Sequence, residues 1–341
     1  MSLSGKVCIV TGASRGIGKG IALKLGENGA TVYITGRTMT SGKDATLPGS
    51  LEITAREIKD RGGNCIAVQC DHSNDDDVKK LFERVSREQD GNLDILVNNA
   101  FSAFHLCTTN IKVPFWELPD DAYDQLNEVG LRNHYLCSVL AAKLMVPCKK
   151  GLIINISGHG GMTYTLNVPY GIGKEGCDRM AVDCARELKP HNVAFICLWP
   201  CVVKTEGAMH VLNDPKLSAV MALEAGIDEQ ILRANYKFGE STEYVGKCVV
   251  NLALDKDLMK KSGRVFITSD LGDIYGFRDD DGHKPINIRR VNCLVRFAPR
   301  WISWLGWIIP DFVKIPTWLM SFAGHKLLIV KLSEYMNGLH L

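Results

Sequence analysis

A tyrosine, a lysine and a serine are the first residues in this sequence whose types and spacing suggest chemistry. Tyr170 and Lys174 lie four residues apart in Tyr-Gly-Ile-Gly-Lys, so they share one face if the segment is helical. Ser157 lies thirteen residues before the tyrosine, directly after the apolar run Leu152–Ile156. Reducing a carbonyl requires a hydrogen bond to its oxygen and an acid that protonates the nascent alkoxide. Ser157 and Tyr170 can fill these roles, so the three residues predict a catalytic site of this kind.

The lysine has a chemical reason to lie beside the tyrosine. A free phenol has a pKa of about 10, and a neighbouring ammonium group stabilises its phenolate form. Tyrosine and lysine at this spacing are also common on ordinary helix surfaces, which is the competing interpretation. The serine that follows a strand, together with the glycine-rich turn described next, favours the catalytic interpretation.

A glycine-rich turn near the N-terminus predicts a dinucleotide site. The first apolar strand leads directly into Thr-Gly-Ala-Ser-Arg-Gly-Ile-Gly at residues 11–18, and a helical pattern follows. Glycines allow backbone N–H groups and the helix N-terminus to approach a pyrophosphate closely. The spacing is GxxxGxG rather than GxGxxG, and an ordinary βα turn is the alternative. The residues expected to contact the dinucleotide are Gly12, Ser14, Arg15, Gly16, Ile17 and Gly18.

The end of the second strand indicates which dinucleotide binds. An NAD site usually has an acidic residue there, whereas this chain has Thr-Gly-Arg ending at Arg37. Arg37 and Arg15 can flank a 2′-phosphate, although two solvated surface arginines are the alternative. The sequence therefore predicts NADP(H) as cofactor. Asp71, after the third strand, is expected at the adenine, and Asn98, which ends the fourth, is also assigned to the cofactor site.

Seven strand-like runs alternate with helix-length segments, a pattern typical of an α/β fold with a doubly wound, Rossmann-like parallel sheet. Residues 1–275 are predicted to form this catalytic domain, and residues 276–341 a C-terminal extension. The seven runs are Val7–Thr11, Thr31–Thr35, Asn64–Gln69, Ile95–Asn98, Leu152–Ile156, Val193–Trp199 and Gly263–Ile267.

Composition excludes several other classes of protein. The net charge of +2 is too small to indicate a nucleic-acid partner. The twelve cysteines are scattered without metal-ligand spacing, so we expect no metal site and reduced thiols in an intracellular protein. The N-terminus has no signal-peptide pattern, which favours a cytoplasmic location.

The segment 295–341 differs from the body because it concentrates aromatic residues. Its apolar stretches are shorter than the roughly 20 residues that span a bilayer. Aromatic and basic residues together suit the headgroup region, so we expect peripheral membrane contact, with the cytoplasmic face of the endoplasmic reticulum as one location. A lid over the catalytic domain, a subunit contact and a re-entrant hairpin are the alternatives. The four tryptophans concerned are Trp301, Trp304, Trp307 and Trp318.

The motifs TGASRGIG, NNA, Ser157 and YGIGK, in this order and at these spacings, resemble those of the short-chain dehydrogenase/reductase family. The resemblance covers residues 5 to about 270. It implies hydride transfer between NADP(H) and a carbonyl or alcohol, with Lys174 bonded to the nicotinamide ribose. It also places the segment from Leu198 to Thr205 beside the nicotinamide, with Val203 and Thr205 as cofactor contacts. A homo-oligomer is expected as well.

Three departures from the family pattern concern the catalytic machinery. Gly130 stands where the family has an asparagine that helps to hold a water between lysine and solvent. Asn127 lies one turn upstream, where its side chain would start about 4–5 Å away along the axis. Phe101 replaces the glycine of NNAG and is expected to reshape the substrate edge. Cys201 replaces the glycine of the Pro-Gly pair, and a buried, inert thiol is favoured over one that lines the active site.

The sequence thus predicts an NADPH-dependent carbonyl reductase or alcohol dehydrogenase that acts on small lipophilic ketones or aldehydes. Steroids are one substrate class suggested by family analogy. The alternative is a membrane-associated NADP(H)-binding scaffold or sensor, with catalysis impaired by the change at Gly130. The intact Ser157, Tyr170 and Lys174 favour the enzyme.

Overall fold

A computed structural model gives the structure of most of the chain. The structure describes residues 2–40, 47–110, 113–224, 227–296, 306, 308–317 and 319–320. The four tryptophans of the C-terminal segment lie outside these described residues.

Seven parallel strands form one sheet in the order β3-β2-β1-β4-β5-β6-β7. The order reverses between β1 and β4, and in open α/β sheets ligands bind outside the carboxyl ends of the strands at such a point. The prediction of a seven-stranded doubly wound sheet is confirmed. The strands are β1 Val7–Val10, β2 Thr31–Gly36, β3 Asn64–Gln69, β4 Ile95–Asn98, β5 Gly151–Ile156, β6 Val193–Trp199 and β7 Val265–Ile267.

Helices connect the strands and cover the sheet. Short 3-10 turns occur at Phe115–Glu117, His159–Gly161 and Lys189–His191, and a π-helical turn at Glu128–Arg132 joins α5 to α6. The α-helices are α1 Gly16–Glu27, α2 Leu51–Asp60, α3 Asp75–Glu88, α4 Phe104–Thr109, α5 Ala122–Asn127, α6 Asn133–Cys148, α7 Val168–Leu188, α8 Glu206–Asn213, α9 Pro215–Glu224, α10 Glu229–Lys237, α11 Thr242–Leu254, α12 Leu258–Lys261, α13 Thr268–Tyr275 and α14 Val291–Arg296.

The sheet is buried on both faces, which explains why its strands are continuous apolar runs rather than alternating ones. In β1, Cys8 and Val10 face a core built with α1 and α11. Val7 and Ile9 face the opposite core, built with α3, α6 and α7. This packing leaves only the strand ends free to carry polar chemistry.

The first part of the C-terminal extension is held to α13 by ion pairs. Asp270 is 2.5 Å from Arg289 Nη1 and 2.7 Å from Lys314 Nζ. Asp273 is 2.9 Å from Arg290 Nη2 and 2.7 Å from the same Lys314 Nζ. Burial alone would raise the pKa of Asp270, but the hydrogen bonds that it accepts from Lys314, Asn287 and Arg289 lower it. The boundary at residue 276 stays a prediction, and these contacts fix the start of the extension against the catalytic domain.

Within the part of the chain that the structure describes, no helix is both long and apolar enough to cross a bilayer.

Candidate active site

The first turn of α7 fixes the position of Tyr170. Asn167 precedes the helix in extended conformation, and its Oδ1 accepts a hydrogen bond from Tyr170 N at 2.9 Å. Pro169 follows in the first turn, where proline lacks only an N–H that the helix would not use. Tyr170 and Lys174 therefore lie one turn apart on one face of α7, as their spacing predicts.

Ser157 reaches the same place from the end of β5. Its N–H donates to Leu198 O of β6 at 2.8 Å, which continues the sheet pairing by one residue. A Cβ built on Gly158 would lie 3.8 Å from the Tyr170 hydroxyl, so the chain directly after Ser157 passes beside the phenol. A Cβ on Gly160 would lie 2.6 Å from a Tyr170 ring carbon, so this turn needs a glycine where the ring packs.

Lys174 is half-buried on the side of α7 that faces the end of β5. Its Nζ donates to Ile156 O at 3.3 Å, and its own carbonyl accepts the Ser157 hydroxyl at 3.0 Å. Burial would lower the pKa of Lys174, but the charges of surrounding groups, Tyr170 first among them, raise it. The ammonium form therefore persists well above neutral pH, as stabilisation of a phenolate requires.

Asp178 continues the same helix face one turn beyond Lys174, and the sequence analysis did not single it out. Its carboxyl group accepts hydrogen bonds from Trp199 Nε1 and Cys197 Sγ, both at 2.9 Å. Burial raises the pKa of Asp178 to about 6, against the lowering effect of these donors. The carboxyl is therefore largely ionised at neutral pH, and its charge supports the nearby ammonium of Lys174.

Asn127 packs against the start of α7. Its Nδ2 donates to Pro169 O at 3.0 Å, and a Cβ on Gly173 would lie 2.1 Å from its Oδ1. Asn127 thus supports the helix that carries Tyr170 and Lys174. The π-helical turn that follows Asn127 adds a residue to the helix, which changes the register expected from regular α-helical spacing.

The glycine-rich turn approaches the end of β4 too closely for any side chain. A Cβ on Gly12 would lie 2.7 Å from Ala100 Cα, and Gly12 has φ of +66°. A Cβ on Gly18 would lie 2.4 Å from Asn99 Nδ2. Asn99 Nδ2 in turn donates to Thr11 O at 2.9 Å and Gly12 O at 3.0 Å. This close packing holds the N-terminus of α1 at the carboxyl ends of β1 and β4, the place that a dinucleotide site requires.

A carboxylate lies at that helix N-terminus in the structure. Gly16 N donates to Glu206 Oε2 at 2.8 Å, and Glu206 is the first residue of α8. The first N–H groups of a helix attract anions, so this carboxylate stands in for a phosphate. The donors at Gly16 therefore fit the pyrophosphate of a nicotinamide dinucleotide.

A family model described as short chain dehydrogenase matches residues 6–216, more than half of the 341 residues. The chain belongs to the short-chain dehydrogenase/reductase family. It is therefore an NAD(P)-dependent oxidoreductase acting on CH–OH and C=O groups, and the predicted family and enzyme class are confirmed.

Two similar proteins and one similar structure support this assignment. The chain is 43% identical over 330 residues to dehydrogenase/reductase SDR family member 1 of Mus musculus, covering 95% of this chain and 98% of that protein. The Homo sapiens protein of that name is 42% identical with the same coverage. A metagenomic short-chain oxidoreductase, solved in complex with NADP, superposes with a TM-score of 0.58 at 27% identity. That alignment covers 78% of this chain and 99% of the other.

The residues predicted to bind the 2′-phosphate lie at the end of β2. The Arg37 side chain is exposed there, and its charge helps to lower the pKa of Asp71, which burial alone would raise. Arg15 Nε and Nη2 donate to Pro48 O and Gly49 O, both at 2.9 Å. Arg15 therefore braces the segment before α2, and Arg37 is the more available cation for a phosphate. Both contacts to the cofactor stay predictions.

The other predicted cofactor residues differ in where their side chains lie. Asn98 is buried, and its Nδ2 donates to Asn155 Oδ1 at 2.9 Å and Ser138 Oγ at 3.0 Å. Its side chain thus joins β4 to β5, and a cofactor contact through it stays a prediction. Thr205 Oγ1 accepts from Ala208 N at 3.1 Å and caps α8 beside Gly16. Ser14 and Ile17 lie within the glycine-rich turn and the first turn of α1.

A buried glutamate holds the loop that contains Val203. Val203 forms an isolated bridge with Glu240, whose Oε1 accepts from Cys201 N at 3.1 Å and Thr268 Oγ1 at 2.5 Å. Burial raises the pKa of Glu240 to about 8, so it is mostly protonated at neutral pH. Burial also raises the pKa of the Cys201 thiol, which agrees with the inert thiol favoured by the sequence.

Sequence reasoning missed Asn99, Asp178, Glu206 and Glu240. Asn99 lies in the NNA motif, and Asp178 continues the four-residue spacing of Tyr170 and Lys174, so both had a usable signal. Glu206 and Glu240 act on residues far away in the sequence, and a single sequence gives no signal for them.

We predict that Glu206→Gln tightens NADPH binding, because the neutral amide competes less well for Gly16 N and does not repel the diphosphate. A charge at a helix N-terminus contributes about 0.3–1 kcal/mol, so we expect a decrease in Kd of about twofold to fivefold. Titration of NADPH fluorescence measures it. Glu187→Gln, an exposed glutamate on α7, makes the same change in net charge and is the control. Equal Kd values for the two variants would contradict the stand-in role.

Proposed function

We propose that this enzyme uses NADPH to reduce small lipophilic ketones or aldehydes. One observation carries the proposal: Tyr170, Lys174 and Ser157 meet at the carboxyl end of β5, on the same edge of the sheet as the glycine-rich turn that follows β1. This is the edge of the sheet where α/β folds bind cofactors, so an acid–base group meets a nicotinamide there.

The three side chains divide the work of the reduction. The nicotinamide supplies hydride to the carbonyl carbon when the cofactor is bound. The Tyr170 hydroxyl gives its proton to the carbonyl oxygen, and Ser157 donates a second hydrogen bond to that oxygen. In the structure the Ser157 hydroxyl donates to Lys174 O, so it rotates away from that carbonyl to meet substrate.

The raised pKa of Lys174 keeps its charge beside Tyr170 through the proton transfer. A positive charge stabilises the phenolate that remains, so the barrier to giving up the proton is lower. The family resemblance adds a bond from Lys174 to the nicotinamide ribose, which would orient the cofactor against Tyr170.

The preference for NADPH over NADH rests on Arg37. Its exposed side chain lies at the end of β2, where an acidic residue would select NAD. The similar metagenomic oxidoreductase was solved with NADP, which supports the same choice here.

Apolar surroundings of Tyr170 favour a lipophilic substrate. Tyr170 packs against a small apolar cluster that includes Leu106 and Leu126, with Val113 and Leu166 at its edge. The polar groups of a hydrophilic substrate would find few hydrogen-bond partners among these side chains. Steroids are one class of such substrates, by analogy with the family.

We also propose that the C-terminal extension contacts a membrane surface from the cytoplasmic side. Val291 N donates to Val313 O at 3.0 Å, and Ile315 N donates to Arg289 O at 2.7 Å. The backbone at residues 289–291 is therefore paired with the backbone at residues 313–315. Beside this pairing Phe312 is 82% exposed and Ile308 65% exposed. Exposed apolar side chains next to basic residues suit the headgroup region. The endoplasmic reticulum as the location, and assembly into a homo-oligomer, stay predictions.

We predict that Tyr170→Phe abolishes turnover while NADPH binding remains, because the variant loses the proton donor and keeps the ring. General acid–base groups contribute about 10²–10⁴-fold, so kcat should fall by at least a hundredfold. NADPH oxidation with a panel of aromatic, aliphatic and steroid ketones measures it. Tight NADPH binding by the wild type without turnover of any ketone would instead favour the scaffold.

We predict that Arg37→Asp weakens NADPH much more than NADH. Hydrogen bonds to charged groups are worth about 1.5–3 kcal/mol, so the NADPH Kd should rise about tenfold to a hundredfold. The two cofactors are titrated in parallel, with Arg87→Asp on α3 as the control for charge. An unchanged ratio of the two Kd values would refute the assignment of the 2′-phosphate.

We predict that Phe312→Glu reduces flotation of the full chain with liposomes that contain anionic lipids, because a carboxylate replaces an exposed ring at the membrane surface. The control is Phe238→Glu, a half-exposed phenylalanine of the catalytic domain. Flotation of all three proteins to the same extent would leave the extension without a membrane role.

A further inference from the structure

Two departures from the family pattern meet in space. A Cβ built on Gly130 would lie 3.1 Å from Phe101 Cδ2 and 3.4 Å from Cε2. The first distance is shorter than ordinary van der Waals contact, so even an alanine at position 130 would press on the ring. The residues lie 29 positions apart, at the end of β4 and in the π-helical turn. Phe101 therefore fills space that a side chain at position 130 would otherwise take.

The same ring faces the catalytic lysine. Lys174 Nζ lies 5.4 Å from the centroid of the Phe101 ring and 5.6 Å from that of the Tyr170 ring. The two rings meet edge to face, with centroids 6.3 Å apart and planes at 85°. Ring faces attract cations within about 6 Å of the centroid. The ammonium group is thus held between two aromatic rings and the carbonyl of Ile156.

We propose that Phe101 is a positioning residue for Lys174 and Tyr170, and that Gly130 is a glycine because it must leave room for the Phe101 ring. The proposal rests on the proposed function, in which Tyr170 and Lys174 carry out proton transfer.

The charge of Lys174 explains why a ring at this place matters. A half-buried ammonium must replace the water that it has lost, and Ile156 O is only one acceptor. The face of Phe101 supplies attraction without a hydrogen bond, and its edge restrains the ring of Tyr170. Losing the ring therefore leaves the ammonium and the phenol less well fixed.

Phe101→Leu tests the ring directly, because leucine remains large and apolar but has no aromatic face. Cation–π contacts are worth about 0.5–2 kcal/mol, so we expect kcat to fall about threefold to thirtyfold. NADPH Kd and the thermal midpoint should change little. Phe101→Tyr keeps the face and should restore kcat to within about threefold of the wild type. Equal kcat for the wild type and Phe101→Leu would overturn the proposal.

Gly130→Asn tests the packing relation through a double-mutant cycle. Next to Phe101 the asparagine pushes the ring aside, so we expect a fall in kcat similar to that of Phe101→Leu. In the Phe101→Gly background the same change should cost less than about threefold, because the space is free. An equal cost in both backgrounds would show that the residues act independently. If Gly130→Asn fails to fold, Phe101→Leu and Phe101→Tyr still decide the positioning role.

These outcomes are separable from failure of the proposed function. A wild-type enzyme without ketone turnover, or Tyr170→Phe with full activity, would refute the reductase itself. A reductase that depends on Tyr170 but is indifferent to Phe101→Leu would refute only the positioning role.

Discussion

Lys174 is half-buried where α7 meets the sheet, and the surrounding groups compensate for the water that its ammonium group has lost. Ile156 O accepts its hydrogen bond, two aromatic rings face it, and the ionised Asp178 lies one turn away. Burial alone would lower the pKa of Lys174, and the charges of neighbouring groups, Tyr170 and Asp178 among them, raise it instead. Such a charge stabilises a phenolate more strongly than it would in water, because the local dielectric is lower.

This arrangement depends in turn on a meeting of distant segments at one edge of the sheet. β5 brings Ser157 and the carbonyl of Ile156, and α7 brings Tyr170 and Lys174. Parallel strands place all their carboxyl ends at the same edge of the sheet, so the βα connections that follow them lie close together there. Asn98 and Asn155 join β4 to β5 by a buried amide hydrogen bond, directly below the site. The sheet is therefore the rigid frame against which the side chains are set.

Acidic side chains join distant segments of the chain around this frame. Glu206 accepts a hydrogen bond from Gly16 N at the N-terminus of α1, the kind of position that attracts anions, and so joins α8 to the glycine-rich turn. Glu240, protonated and buried, joins the loop at Cys201 to Thr268. Asp270 and Asp273 bind the basic residues of the extension. The loop that contains Cys201 and the C-terminal extension are thus both held against α13, through Thr268 in one case and through Asp270 and Asp273 in the other.

The sequence alone predicted the sheet, because buried parallel strands leave continuous apolar runs, and it predicted the chemistry, because the glycine turn and the Tyr-Lys spacing are local patterns. It identified Gly130 and Phe101 as separate departures and left the role of Asn127 open. The tertiary structure decided that Phe101 occupies the space above Gly130, and that Asn127 supports the start of α7. It also placed Glu206 at Gly16, 190 residues away. These relations are contacts between residues distant along the chain, and packing in three dimensions leaves no periodicity in one sequence from which to read them.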